Sequence, residues 1–130
     1  MGLKGKKFIV DKDKKVLASF KHAFNGIKSA FTTEYHMMIH SYFAVAVIIS
    51  GVLFQINYVE WLICLLLIGL VFALELINTA IESVVNMITT EYNFYAKAAK
   101  DTAAGAVLVM SIASAVIGLI IFIPKIIELF

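Results

Sequence analysis

The side chains best suited to chemistry lie in the stretch Glu75-Leu76-Ile77-Asn78-Thr79-Ala80-Ile81-Glu82-Ser83-Val84-Val85-Asn86, polar residues set inside the most hydrophobic third of the chain. At 100° per residue, Glu75, Asn78, Thr79, Glu82 and Asn86 share one arc of roughly 100°, so a helix here has one wet face. A carboxylate at the centre of a bilayer-spanning helix costs roughly 2.5 to 3.5 kcal/mol on insertion scales, and two on one stripe need partners. Carboxylates, an amide and a lysine at a membrane–water boundary can hold a divalent cation together with phosphates. Mg²⁺ takes oxygen ligands, commonly one or two carboxylates plus substrate phosphate, and a lysine offsets charge on a transferring phosphoryl group. A further carboxylate can accept the proton of a lipid alcohol.

The elements that carry this stripe must be membrane elements. The 130 residues suffice for one domain, but 62% of them are hydrophobic and the mean hydropathy is +0.93, more than a soluble domain of this size can bury. The formal net charge is only +2, yet eight of the eleven lysines lie within the first 28 residues. Such a cluster beside the first span predicts a cytoplasmic N-terminus by the positive-inside rule, with attraction to anionic headgroups as a secondary effect, and it calls for no nucleic-acid partner. The single cysteine, Cys64, excludes an intrachain disulfide framework. The basic start runs into an amphipathic segment instead of a short apolar core and cleavage site, so no cleaved signal peptide is expected, and Lys6 breaks the myristoylation pattern.

Residues 1–14 read as a lysine-rich mobile tail. Over 15–33, Val16, Leu17, Phe20, Phe24, Ile27 and Phe31 keep helical spacing opposite Lys21, His22, Asn25 and Lys28, the pattern of a basic amphipathic helix lying in the interface plane. Between Glu34 and Glu60 there is no Asp, Glu, Lys or Arg. Three spanning helices are predicted, over about 36–57, 60–88 and 100–124, with a turn at Asn57-Tyr58-Val59, a loop over 89–99, and a stop at Pro124-Lys125. Small residues along the third span, among them Ala103, Ala104, Gly105 and Gly118, suit close helix packing. With Trp61 at the outer interface, Glu75 lies about 21 Å inward and Glu82 about 31 Å, against roughly 30 Å of hydrocarbon. Glu34, Lys100 and Asp101 reach the same cytoplasmic level from their own ends.

The stripe from Glu75 to Val85, followed by Ala99-Lys100-Asp101 and a small-residue third span, resembles the small prokaryotic diacylglycerol kinase family of integral-membrane lipid kinases over roughly residues 16–125. Lys100 to Val107 and the ending Ile121-Phe122-Ile123-Pro124-Lys125 are similar to its Gram-positive branch, which mainly phosphorylates undecaprenol. The resemblance implies an all-α membrane protein, a single lipid kinase domain over 1–130 with three transmembrane helices and an N-terminal interfacial helix. It further implies a homotrimer in the bacterial cell membrane, with active sites shared between subunits. By position, it implies that Glu34 and Glu82 hold Mg²⁺ with ATP, that Glu75 is the general base, that Lys100 contacts the ATP phosphates, and that Asn78 and Asp101 position nucleotide or neighbouring groups, Glu75 and Asn78 also facing the lipid alcohol. Two departures stand out: Asn86 where the family commonly has Asp, and Met38 where a basic residue is common.

Other readings of the same residues remain open. Diacylglycerol in place of undecaprenol as substrate is the nearest alternative. A small cation-coupled transporter would use membrane carboxylates as an ion relay, although no inverted repeat is evident, and a structural subunit would use them to join helices. His36 and His40, spaced i, i+4, lack a third ligand for zinc and read as interfacial histidines. Asp101 before Thr102 fits an N-cap of the third span. Tyr92, Phe94 and Tyr95 read as interface anchors in preference to an adenine platform. Glu60 and Glu91 read as solvated helix ends.

Overall fold

The computed structural model describes the backbone of residues 2–130 and side chains from Asp11 onward. Four helices form among the described residues: α1 Gly2–Thr33, α2 Tyr35–Leu53, α3 Tyr58–Ile88 and α4 Phe94–Ile127. They divide into two compact units, residues 1–33 and 34–130.

The first unit is the single helix α1. It runs through the stretch expected to be a tail, most of whose side chains lie outside the described residues. From Val16 on, its apolar residues Val16, Leu17, Phe20 and Phe24 are all exposed.

The second unit is a three-helix arrangement in which α3 packs mainly on α4 and less extensively on α2. Each of α2, α3 and α4 is long and apolar enough to cross a membrane, at 19, 31 and 34 residues. A rise of 1.5 Å per residue makes even the shortest about 28 Å long. Leu65, Leu66, Leu108, Val109, Ile112 and Val116 point outward and stay exposed, as lipid-facing residues do. Ile56, Cys64 and Ile121 form the buried cluster, with Trp61, Phe54, Phe122, Val47, Ile63 and Ile117 against it.

The α2–α3 turn occupies 54–57, earlier than the sequence suggests, because both helix ends are chemically fixed there. Gln55 takes φ 48°, and the Ile56 N–H bonds to Gly51 O (3.1 Å) while the Gln55 N–H bonds to Val52 O (3.3 Å). These two bonds make a Schellman motif with Gln55 at the left-handed position that glycine usually fills. Gly51 is needed for another reason: a Cβ there would lie 2.8 Å from the Trp61 indole. The chain then enters α3 through a capping box. Glu60 N–H bonds to Asn57 Oδ1 (3.0 Å) and Asn57 N–H to Glu60 Oε2 (2.8 Å).

Glu60 is therefore not a solvated end. Its other oxygen pairs with Lys125 Nζ at 3.1 Å, joining the first turn of α3 to the last of α4. At the opposite end of α3 the expected loop over 89–99 shortens to 89–93, since the Asn93 side chain accepts from Tyr95 N and Ala96 N and starts α4 there. Asp101 consequently sits inside α4, and the N-cap role expected of it belongs to Asn93. Pro124 does not stop the last helix, which continues to Ile127; proline removes one helical donor without ending a helix held by its neighbours.

Candidate active site

Glu75, Asn78, Glu82 and Asn86 are spaced three or four residues apart on α3, so they stack along one side of the helix. Glu75 is 2% exposed and Asn78 6% exposed, Glu82 is half-buried and Asn86 is exposed. The stripe therefore grades from a buried carboxylate to an open amide over about 16 Å of helix.

At the deep end, two imidazoles from α2 meet Glu75. His36 Nδ1 lies 3.7 Å from Oε1 and His40 Nε2 lies 3.7 Å from Oε2. The sequence reading placed this pair at the interface without a partner; the structure adds that both rings face the buried carboxylate from α2. Glu34 occupies the N-cap position of α2, but its side chain does not cap the helix. Charge on Glu34 and Glu82, like that on His40 and His36, acts on the Glu75 carboxylate. Glu34, Glu75 and Glu82 thus share one electrostatic neighbourhood despite 48 positions between the first and the last.

One turn along α3, Asn78 Nδ2 donates to Glu82 Oε1 at 3.3 Å. That bond orients the amide and leaves Asn78 Oδ1 buried with no hydrogen-bond partner among the described residues, as is Thr79 Oγ1. A buried carbonyl oxygen without a donor costs free energy, and such orphans are rare enough to require a reason. Beside a half-buried carboxylate, an oxygen awaiting a positive partner fits a hard divalent cation, whose ligands are carboxylate and carbonyl oxygens. Among the described residues no group of three or more His, Cys, Asp or Glu is placed to hold a metal ion by itself. Glu82 and the Asn78 oxygen are oxygen donors of the type that Mg²⁺ takes alongside waters and phosphate oxygens.

A second cluster forms where α3 meets the start of α4. Lys100 Nζ donates to Asn86 Oδ1 at 2.6 Å, and Asp101 is paired with Lys97 one turn earlier in α4. Lys97, Lys100 and Asp101 line an open cleft with Val85, Asn93 and Tyr92. Asn86, the departure from the expected Asp, thus still accepts from the Lys100 ammonium. Among the described residues, then, the expected site residues fall into two groups: Glu34, Glu75, Asn78 and Glu82 near the deep end, Lys100 and Asp101 at the cleft. The sequence reading did not single out His36, His40 and Asn86 as site residues, although the i, i+4 histidine spacing was a visible signal for the first two.

Comparison with known proteins agrees with this arrangement. A family model described as prokaryotic diacylglycerol kinase matches residues 21–122. The chain is 50% identical over 107 residues to the undecaprenol kinase of Bacillus subtilis (strain 168), covering 82% of this chain and 87% of that protein. It is 39% identical over 115 residues to the diacylglycerol kinase of Synechocystis sp. (strain ATCC 27184 / PCC 6803 / Kazusa), covering 88% of this chain and 66% of that one. A buried carboxylate stripe, a lysine-lined cleft and three membrane-length helices thus coincide with a match over most of the chain, which belongs to the prokaryotic diacylglycerol kinase family of lipid kinases.

Proposed function

We propose that the protein is an ATP- and Mg²⁺-dependent undecaprenol kinase that forms undecaprenyl phosphate at the cytoplasmic boundary of the bacterial cell membrane. The observation that carries the reading is the grading of one helix face, from Glu75 buried at 2% exposure to the Asn78–Glu82 pair with its orphaned Asn78 oxygen. Glu75 accepts the proton of the lipid hydroxyl, and Asn78 places that hydroxyl and the nucleotide relative to each other. Glu34 and Glu82, with the Asn78 oxygen, would hold Mg²⁺ brought in with ATP, and an ion so held would supply charge neutralisation at the phosphate oxygens. Lys100, kept extended by Asn86, contacts the ATP phosphates, and Asp101 fixes the neighbouring Lys97 at the rim of the nucleotide cleft.

The working assembly is a homotrimer with sites shared between subunits. In support, α2, α3 and α4 leave many large apolar residues exposed, and the Asn78–Glu82 and Asn86–Lys100 pairs of one chain lie one helical turn apart on α3. A neighbouring subunit would bring a Lys100 cleft against another chain's Glu82. The α1 segment lies in the interface plane as a basic amphipathic helix, and its lysines keep the N-terminus cytoplasmic.

Purified protein in mixed micelles with ATP, Mg²⁺ and equal mole fractions of undecaprenol and diacylglycerol is expected to make mainly undecaprenyl phosphate. Predominant phosphatidic acid would establish the second reading, which the 39% identical diacylglycerol kinase favours. No lipid phosphate from either would refute both.

A further inference from the structure

The contact between α2 and the buried carboxylate goes beyond the roles assigned above. We propose that His40, supported by His36, is a positioning residue that fixes the Glu75 carboxylate in the orientation from which it takes the proton of the lipid hydroxyl; this rests on Glu75 being the base.

The geometry is that of a two-sided clamp. One turn of α2 separates His36 from His40, so both rings project from the same face. The two rings divide the carboxylate between them, His36 Nδ1 facing Oε1 and His40 Nε2 facing Oε2, each at 3.7 Å. At that distance the contacts are electrostatic and not formed hydrogen bonds. An imidazole presents an N–H to an anion in its neutral or its protonated form, and a carboxylate offers about four lone-pair directions. Two rings therefore orient the group and still leave lone pairs free for an incoming hydroxyl.

The two histidines are not equivalent. The His40 side chain is 18% exposed and that of His36 69%, so water weakens the second contact more than the first. The Glu75 side chain is itself 3% exposed, and without a cross-helix partner a long, flexible carboxylate so deep in the protein has no fixed direction. Glu34 and Glu82 also act on Glu75 as like charges, whereas the two histidines face its oxygens with ring nitrogens, and proton abstraction is sensitive to displacements of about 1 Å.

The test compares His40→Leu and His40→Gln by turnover of undecaprenol in mixed micelles with ATP and Mg²⁺. Glutamine carries an amide N–H near the place of Nε2; leucine fills space without a donor. His40→Leu is expected to lower kcat about ten- to a hundredfold with KM for Mg-ATP within about twofold, and His40→Gln to restore most of the loss. Added to Glu75→Gln, His40→Leu is expected to cost nothing further, because residues that act as one unit are not additive. Should His40→Leu fail to fold, His40→Asn takes its place, its amide being too short to reach Oε2. Equal loss in the leucine (or asparagine) and glutamine variants, or a further drop of the same size on the Glu75→Gln background, overturns the clamp while leaving Glu75 as base. Full activity of Glu75→Gln itself overturns the base assignment, and the clamp with it.

Discussion

Replacing Glu75 and Glu82 one at a time by glutamine separates the two carboxylate roles, because the exchange keeps side-chain volume and removes only charge and basicity. At position 75 the new amide has nearly the volume of the carboxylate it replaces in a site at 2% exposure. What is lost is proton acceptance. General base catalysis contributes typically 10²- to 10⁴-fold, so kcat of Glu75→Gln is expected to fall by about that factor, roughly 3 to 5 kcal/mol of barrier. At position 82 the amide oxygen still accepts the Asn78 Nδ2 bond, now 3.3 Å long, but the anionic oxygen proposed to ligate the metal disappears. A tenfold weaker Kd for Mg-ATP corresponds to about 1.4 kcal/mol. The assay is thermal unfolding in detergent at a Mg-ATP concentration about a hundredfold above the parental Kd. There the parent gains about 2.7 kcal/mol and Glu82→Gln about half of that, while Glu75→Gln keeps the full gain. Equal loss of the Mg-ATP stabilisation in both variants, or Glu75→Gln turning over at the parental rate, would refute the division of labour.

Three further expectations follow from other contacts. Asn86→Ala removes the acceptor that holds Lys100 Nζ at 2.6 Å; at an exposed position such a bond is worth about 1 kcal/mol, so KM for ATP should rise about fivefold with kcat nearly unchanged, as steady-state kinetics at saturating lipid would show. Gln55→Gly relieves a non-glycine residue at φ 48° and should stabilise the protein by about 1 kcal/mol, visible as a slower thermal inactivation; a destabilised variant would mean the Schellman turn is not maintained in the membrane. Lys125→Met breaks the 3.1 Å bridge to Glu60 and should lower Tm, and on the Glu60→Gln background it should lower Tm far less, which a double-mutant cycle by thermal unfolding measures.

Local chemistry makes much of the fold legible in the sequence. An uncharged run from Tyr35 to Val59 admits little but a spanning helix, and the 100° arc of Glu75, Asn78 and Glu82 is a property of one helix that no tertiary contact alters. Boundaries were less legible, because they depend on which of several competent residues wins. Asn57 with Glu60 wins the start of α3 through a reciprocal capping box, and Asn93 starts α4 well ahead of Asp101 by accepting two backbone N–H groups. The sequence offered Asp101-Thr102 as an equally good cap, and nothing in local propensity ranks the two.

The site residues that escaped the sequence are those defined by a partner on another helix. Glu75 announced that it needed a partner but not which one: His40 stands 35 positions away, and an i, i+4 histidine pair at a helix start is as compatible with lipid headgroups as with a buried carboxylate. Asn86 likewise looked like a missing charge until Lys100 was placed against it. The two cases share a cause. In a membrane the cost of an unpaired polar group is high, so cross-helix pairing is demanded by the stripe itself, whereas the identity of the partner depends on the rotation of one helix about its axis relative to the next. Hydrophobic periodicity fixes that rotation loosely in a protein whose helices leave so many large apolar residues exposed. Polar contacts between helices add what periodicity lacks: the buried Glu75 faces His40 across α2 and α3, and Asn86 accepts from Lys100 across α3 and α4.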